Sequence, residues 1–256
     1  MRTRVIPVLL IKNGGLIKTI MFTREKYVGD PFNAVKIFNE KEVDELIILD
    51  VGASVKKQAP DIKMISEIAG ECFMPVCYGG GIVQLEQIGR ILCAGIEKVS
   101  INASAVLNPA FIHEAAKTYG SQSIVVSIDV RKNIFGRYRV FTHRGRIETG
   151  IDPVEFASRM ENSGAGEIFL TAIERDGTYG GYDTEIIKKV SEAVNIPVIA
   201  CGGARNTDDF AAAVDSGASA VAAGSLFVFH GKDRAVLMNF PSQDELKTKL
   251  WERANE

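Results

Sequence analysis

The chain is written twice. Pro75-Val76 overlies Pro197-Val198 at an offset of 122 positions, and Gly80-Gly81, Gly95 and Glu45 fall on Gly202-Gly203, Gly217 and Glu167 at the same offset. CYGGGIVQLEQIGRILCAGIEKVSINAS, from Cys77, meets IACGGARNTDDFAAAVDSGASAVAAGSL without a gap. Each copy runs apolar strand, Gly-Gly turn, amphipathic helix, glycine, second strand and small-polar turn. A duplication of this kind makes two equivalent anion cradles, suited to a substrate with a phosphate at each end.

Short β-branched runs alternate with helical patterns along the whole chain. Strands are predicted over 5–11, 45–50, 75–78, 98–101, 123–129, 167–171, 197–200 and 220–223. Helices are predicted over 32–39, 85–94, 109–119, 153–163, 184–193 and 207–216, several opened by cap signals such as Asn108-Pro109, Asp152-Pro153 and Thr207-Asp208. The strands are continuously apolar, as in a parallel sheet covered on both faces. Eight of them over 256 residues predict an α/β fold, the (β/α)8 TIM barrel. An open doubly wound sheet does not explain the even repeat, so one closed domain is expected, with half-barrels over roughly 1–120 and 121–256. The stretch 137–145 alternates like a hairpin inserted at the barrel mouth, and 13–30 reads as a long loop after strand one.

With 30 basic and 32 acidic residues and a net charge of −2, no bulk field draws the chain to nucleic acid or anionic lipid. The apolar run 5–11 contains Pro7 and reads as a strand, not a leader, and no stretch approaches a membrane span. Cys72, Cys77, Cys93 and Cys201 lack metal-ligand spacing, and all but Cys72 sit in apolar or strand-like runs that predict buried, reduced thiols. A cytoplasmic setting is expected. His113, His143 and His230 pair with no Ser or Cys at a strand end, so neither a hydrolytic triad nor a metal site is expected. No cofactor is implied.

In such a barrel the chemistry sits where strands run into loops at their C-terminal ends. Those positions are Leu10, Lys12, Asp50, Gly79, Gly80, Gly81, Asn102, Asp129, Thr171, Asp176, Gly177, Gly202, Gly203, Gly224 and Ser225. The Gly-Gly turns let backbone N–H groups approach an anion closely. Asn102-Ala103 and Gly224-Ser225 complete the two cradles, and Lys18 offers an extra cation, although a solvated loop lysine is the commoner case. Trp251 is expected to close the barrel bottom or pack on a helix.

RVIPVLLIKNGGLIK, DELIILDVGAS, YGGGI, EKVSIN, GSQSIVVSID, GAGEIFLTAIERDGT, GYDTE and ACGGA together resemble the cyclase subunit of imidazole glycerol phosphate synthase, almost end to end. The resemblance implies a duplicated barrel that forms a heterodimer with a glutaminase docked on its N-terminal face. Ammonia passes through the barrel and attacks a bis-phosphorylated ribulosyl ribotide at the other face. It implies that Gly81 and Asn102 hold one phosphate and Gly177, Gly203, Gly224 and Ser225 the other. Lys18, Asp50, Thr171 and Asp176 are implied to touch substrate, and Asp129 to be one of two catalytic aspartates. Arg4, Glu45, Lys98 and Glu167 match the four charged residues that ring the ammonia entrance in the family. Gln122 and Tyr182-Asp183 match family positions near the glutaminase-facing or gating regions.

The second catalytic aspartate is missing: Leu10 stands at its place and can move no proton. Glu174, Cys201, Ala103 and Gly14-Gly15 also depart from the family pattern. With CFMPVCYGGGI and GSLFVFHGK (224–232), the chain resembles a paralogous group tied to bacterial surface-polysaccharide synthesis. That group implies work with a glutaminase and an ATP-dependent ligase-like protein, converting an N-acetyl group on a sugar nucleotide into an acetamidino group. The expected function is therefore an ammonia-channelling amidotransferase subunit that binds a phosphorylated small molecule. The alternatives are a true cyclase of histidine biosynthesis and a non-catalytic scaffold that activates a glutaminase.

Overall fold

A computed structural model describes residues 2–231 and 233–252. Lys232 of the 224–232 motif and the last four residues lie outside the described residues. Eight parallel strands close on themselves: Arg4–Lys12, Leu46–Asp50, Val76–Gly79, Lys98–Ile101, Ile124–Lys132, Glu167–Ala172, Val198–Cys201 and Ala220–Ala223. Each pairs in parallel with its neighbour, and the eighth pairs with the first through Arg4 opposite Ala220. The ring is the expected TIM barrel, with strand ends shifted by at most three residues and two strands, 98–101 and 220–223, unshifted.

The predicted helices form within two residues of their expected ends: Pro31–Glu40, Leu85–Cys93, Pro109–Tyr119, Pro153–Asn162, Thr184–Ser191 and Thr207–Asp215. Asp152 caps its helix by accepting from Val154 N at 2.9 Å. The last helix starts from Asn206, whose side chain accepts from Asp209 N, in place of the expected Thr207 cap. A further helix, Ile62–Glu71, follows strand two and is capped by Asp61.

Alternation along the strands divides the apolar residues between two cores. Outward residues such as Val5, Leu9, Ile48, Val126 and Leu170 meet Phe38, Phe156, Phe210 and the other helix faces. Inward residues fill the bore: Ile6, Val8, Ile47, Cys77, Val125, Phe169, Ile199, Cys201, Ala220 and Ala222, with Leu10 and Leu49 packed against them. Trp251 closes the N-terminal end, donating from Nε1 to the Thr3 carbonyl at 2.9 Å beneath the Arg2 guanidinium 3.9 Å from its ring centre.

Two expectations change. Residues 13–30 form a β-hairpin, Gly15–Ile20 with Thr23–Gly29, whose first strand pairs antiparallel with strand one. Strand five carries the counterpart: Tyr138–Thr142 and Ile147–Glu148 continue it antiparallel. The first strand of each half-barrel thus runs on into a hairpin over the mouth. The other change is Cys93, which is exposed because it lies on the outer face of its helix, while Cys77 and Cys201 are buried.

Candidate functional site

The C-terminal ends of the strands open into a cavity of about 580 Å³. Lys18, Asp50, Asn102, Asp129, Thr171 and Asp176 all line it, together with Gly79–Gly81 and Gly224. Lys18 lies on a strand where a loop was expected and is 5% exposed, so the commoner case of a solvated loop lysine does not hold. Its ammonium donates to the Val8 carbonyl and sits where a Cβ on Gly224 would be 2.2 Å from Nζ. Burial lowers its pKa to about 8, with Asp176 opposing.

Asp129 is the most perturbed acid. Burial, then the neighbouring Asp176 charge, pushes its pKa up to about 7, so it exchanges a proton near neutrality. Asn102 faces it, its amide donating to the Ser127 carbonyl at 3.0 Å and reaching Asp129 Oδ2 at 3.4 Å. Burial also raises Asp176, held back by Lys18 and by the Thr19 hydroxyl at 3.3 Å. Asp50 is raised by burial as well, although it accepts from the backbone N–H groups of Gly52 at 2.9 Å and Ala53 at 3.1 Å.

Leu10 lines the same cavity, on the inward stripe of strand one that carries Arg4, Ile6 and Val8. Cys201 and Ala103 also line the wall, whereas Glu174 turns away, accepting from Lys132 N at 3.4 Å. Gly14 sits in the turn into the first hairpin with φ 79°.

The two glycine turns differ in cover, although the repeat makes them look equivalent. At Gly80 and Gly81 a Cβ would lie 2.6 Å from the Asp50 carbonyl and 2.3 Å from the Gln58 carbonyl, so only glycine fits, and both line the open cavity. On the other side Gly177, Gly202, Gly203 and Ser225 are off the cavity wall. A Cβ on Gly177 would be 2.4 Å from Thr19 O and one on Gly203 2.1 Å from Gly181 O. A Cβ on Gly202 would be 2.7 Å from Ala172 O. The first hairpin lies here, with Met21 N donating to Asp176 O at 2.9 Å. Arg234 donates to Gly177 O at 3.0 Å, and the Tyr179 hydroxyl to Ser225 O at 3.0 Å.

At the opposite end Arg4 bonds both Glu45 and Glu167, the latter at 2.7 Å, and Lys98 reaches both at 3.1 Å. Two cations and two anions alternate around the bore as a closed ring, and the Glu45 side chain is only 3% exposed. Cys77 lies just inside; burial, then the Glu45 charge, drives its thiol pKa well up. Ser100 and Ser127 carry the inward stripes from Lys98 and towards Asp129, and line the cavity. The Ser100 hydroxyl is buried without a hydrogen-bond partner. Two-residue alternation from Lys98 and Asp129 is the sequence signal that finds both serines. Of the remaining matched positions, the Tyr182 hydroxyl donates to Ala222 O at 2.9 Å. Asp183 caps helix Thr184–Ser191 and accepts from the Tyr138 hydroxyl at 2.9 Å, so both have structural work in the loop after strand six.

His143, Arg144 and Phe22 also line the mouth; they lie on the hairpin turns, where no strand-end rule applies. Among the described residues no helix is long and apolar enough to cross a membrane.

Comparison with known proteins agrees with this geometry. The model of a histidine biosynthesis protein family matches residues 4–233. A protein of Pseudomonas aeruginosa, provisionally assigned as imidazole glycerol phosphate synthase subunit hisF2, is 51% identical over 246 residues, covering 96% of this chain and 98% of its own. A Leptospira interrogans protein with a similar provisional assignment is 46% identical over 247 residues, 96% of this chain and 97% of its own. The imidazole glycerol phosphate synthase subunit HisF of Alkaliphilus metalliredigens is 42% identical over 228 residues, 89% and 90% of the two chains. The chain belongs to the histidine biosynthesis protein family.

Proposed function

We propose that this chain is the barrel subunit of a glutamine-dependent amidotransferase, taking ammonia from a glutaminase docked on its N-terminal face and releasing it at the mouth. The observation that carries this reading is the charged ring of Arg4, Glu45, Lys98 and Glu167, set beneath an apolar bore that leads to Asp129. A ring of matched charges offers no free site to hold ammonium, and apolar walls favour neutral ammonia over its protonated form. Ser100 and Ser127 give that molecule hydrogen-bonding hydroxyls part-way along.

At the mouth, ammonia attacking an acceptor must lose a proton, and Asp129 titrates in the range where it can take one. Ring closure in the related cyclases is read as using two acids, and Leu10 offers none. The proposed acceptor is therefore an N-acetylated sugar nucleotide activated by an ATP-dependent partner, with ammonia converting the activated acetamido group into an acetamidino group for a surface glycan. Gly80, Gly81, Asn102, Gly177, Gly202, Gly203, Gly224 and Ser225 are the proposed phosphate contacts. Lys18, Asp50, Thr171 and Asp176 are the proposed substrate contacts.

The test is reconstitution. With glutaminase, ATP-dependent partner, glutamine, ATP and an N-acetylated sugar nucleotide, product should form only when this chain is present. Glu45→Gln should depress it while glutamine hydrolysis persists. Undiminished product without this chain would refute the reading. A second reading, true ring closure, is favoured by one observation: Asp129 is buried and poised near pH 7 as a working acid would be.

A further inference from the structure

The two mouth hairpins flank a second, open cavity of about 460 Å³, between residues 21–25 of the first and residues 144–146 of the second. Four arginines line it: Arg24, Arg131, Arg144 and Arg146, against one carboxylate, Glu25. That carboxylate is already taken, since it accepts from Arg144 at 2.6 Å and from Lys12. The Arg131 guanidinium lies over Phe141, 4.2 Å from the ring centre. Arg24 and Arg146 form no ion pair among the described residues. For a chain of net charge −2, this is a local excess of positive charge inside a concavity.

The hairpin turns beside these arginines adopt backbone conformations suited to Gly or Asn. Met21, Phe22 and Arg24 have φ of 51°, 60° and 49°, and His143 and Arg144 have 52° and 61°. Side chains are thus placed here against the turn's own preference, as at sites where function decides the residue. Phe22 and Arg144 line both this cavity and the main mouth, so the two cavities adjoin.

We propose that Arg24, Arg131, Arg144 and Arg146 form a third anion subsite, which receives a phosphate or diphosphate of a ligand whose body lies in the main cavity. The subsite rests on the reading of the mouth as the ligand face, but not on ammonia delivery. Guanidinium forks match phosphoryl oxygens in pairs, and a concavity of this size suits a small polyanion better than a flat macromolecular surface.

Isothermal titration of the full chain with inorganic pyrophosphate at low ionic strength tests it, in both the wild-type and the Asn102→Asp background, where the first glycine cradle is spoiled. Saturable binding weakened by salt is expected in both backgrounds. Arg24→Ala/Arg146→Ala should weaken it at least about tenfold, and Arg146→Lys less, because the charge stays and the fork goes. Arg24, on the outer strand of the first hairpin, and Arg146, in a turn of the second, are both exposed, and thermal melting verifies the fold of the variants. The subsite is overturned if the double alanine variant binds as wild type does, or if Asn102→Asp alone removes all binding. It is equally overturned if wild type shows no saturable binding, which would leave the arginines to an acidic protein surface. No turnover or glutaminase enters the measurement, so failed ammonia delivery and a failed subsite give different results.

Discussion

The two ends of the barrel handle charge in opposite ways. At the N-terminal end two cations meet two anions in a closed ring, each bonded to both of its opposites. At the mouth Asp129, Asp176 and Lys18 are buried close together, and burial shifts all three towards their neutral forms. The first arrangement is electrically complete and holds shape. The second leaves Asp129 with a pKa of about 7, which suits proton transfer and costs stability. In the proposed reading, one bore joins that ring to the site of chemistry.

The comparison breaks most visibly at Asp129. Asp129→Asn, which keeps the shape and the Asn102 contact, should lower product formation about 10² to 10⁴-fold, the usual worth of general acid–base help, as read in steady-state rates. An unchanged rate would remove Asp129 from the proposed chemistry. At the other end, Glu45→Gln leaves Arg4 and Lys98 sharing one carboxylate. It should cost about 3 kcal/mol in urea unfolding, as expected for breaking a buried pair, and should uncouple glutamine-driven from ammonium-driven product.

A pH series sharpens the contrast. Asp129 holds its proton up to about pH 7 when folded and releases it near pH 4 when unfolded. Between those values the native state binds more protons, so stability falls as pH rises from about 4 to 7. Asp129→Asn removes that slope and should be more stable than wild type at pH 8, with the advantage gone by pH 4. Lys18, lowered to about 8, works in the other sense: the unfolded chain binds the extra proton, so stability rises between about pH 8 and 10. Lys18→Met should flatten that limb, as measured by denaturant midpoints across pH. The smallest effect belongs far from both ends: Cys93→Ser, on an exposed helix face, should stay within about 0.5 kcal/mol.

The barrel was legible because the repeat, the apolar strand runs and the helix caps all agree. Strand-end logic also brought Asp50, Asn102, Asp129, Thr171 and Asp176 to the rim, whereas Lys18 was read as a cation in the loop after strand one. The first hairpin escaped because its turn, Met21-Phe22, carries no Gly, Asn or Asp signal, although both residues adopt positive φ. That one miss hid several things at once: Lys18 as a buried cation, the covering of Gly177 by Thr19, and the arginines facing Arg144. Ser100 and Ser127 were readable from strand parity, since an inward Lys98 and Asp129 dictate an inward neighbour two residues away. The unequal cover of the two glycine turns is a tertiary fact, which no repeat comparison contains.

The most direct measurement compares wild type with Leu10→Asp for formation of imidazole glycerol phosphate from the ribulosyl ribotide and ammonium salt. A wild type at least about 10²-fold slower than the variant is predicted, because one proton carrier is restored. Wild-type turnover equal to or faster than that of the variant would contradict the account.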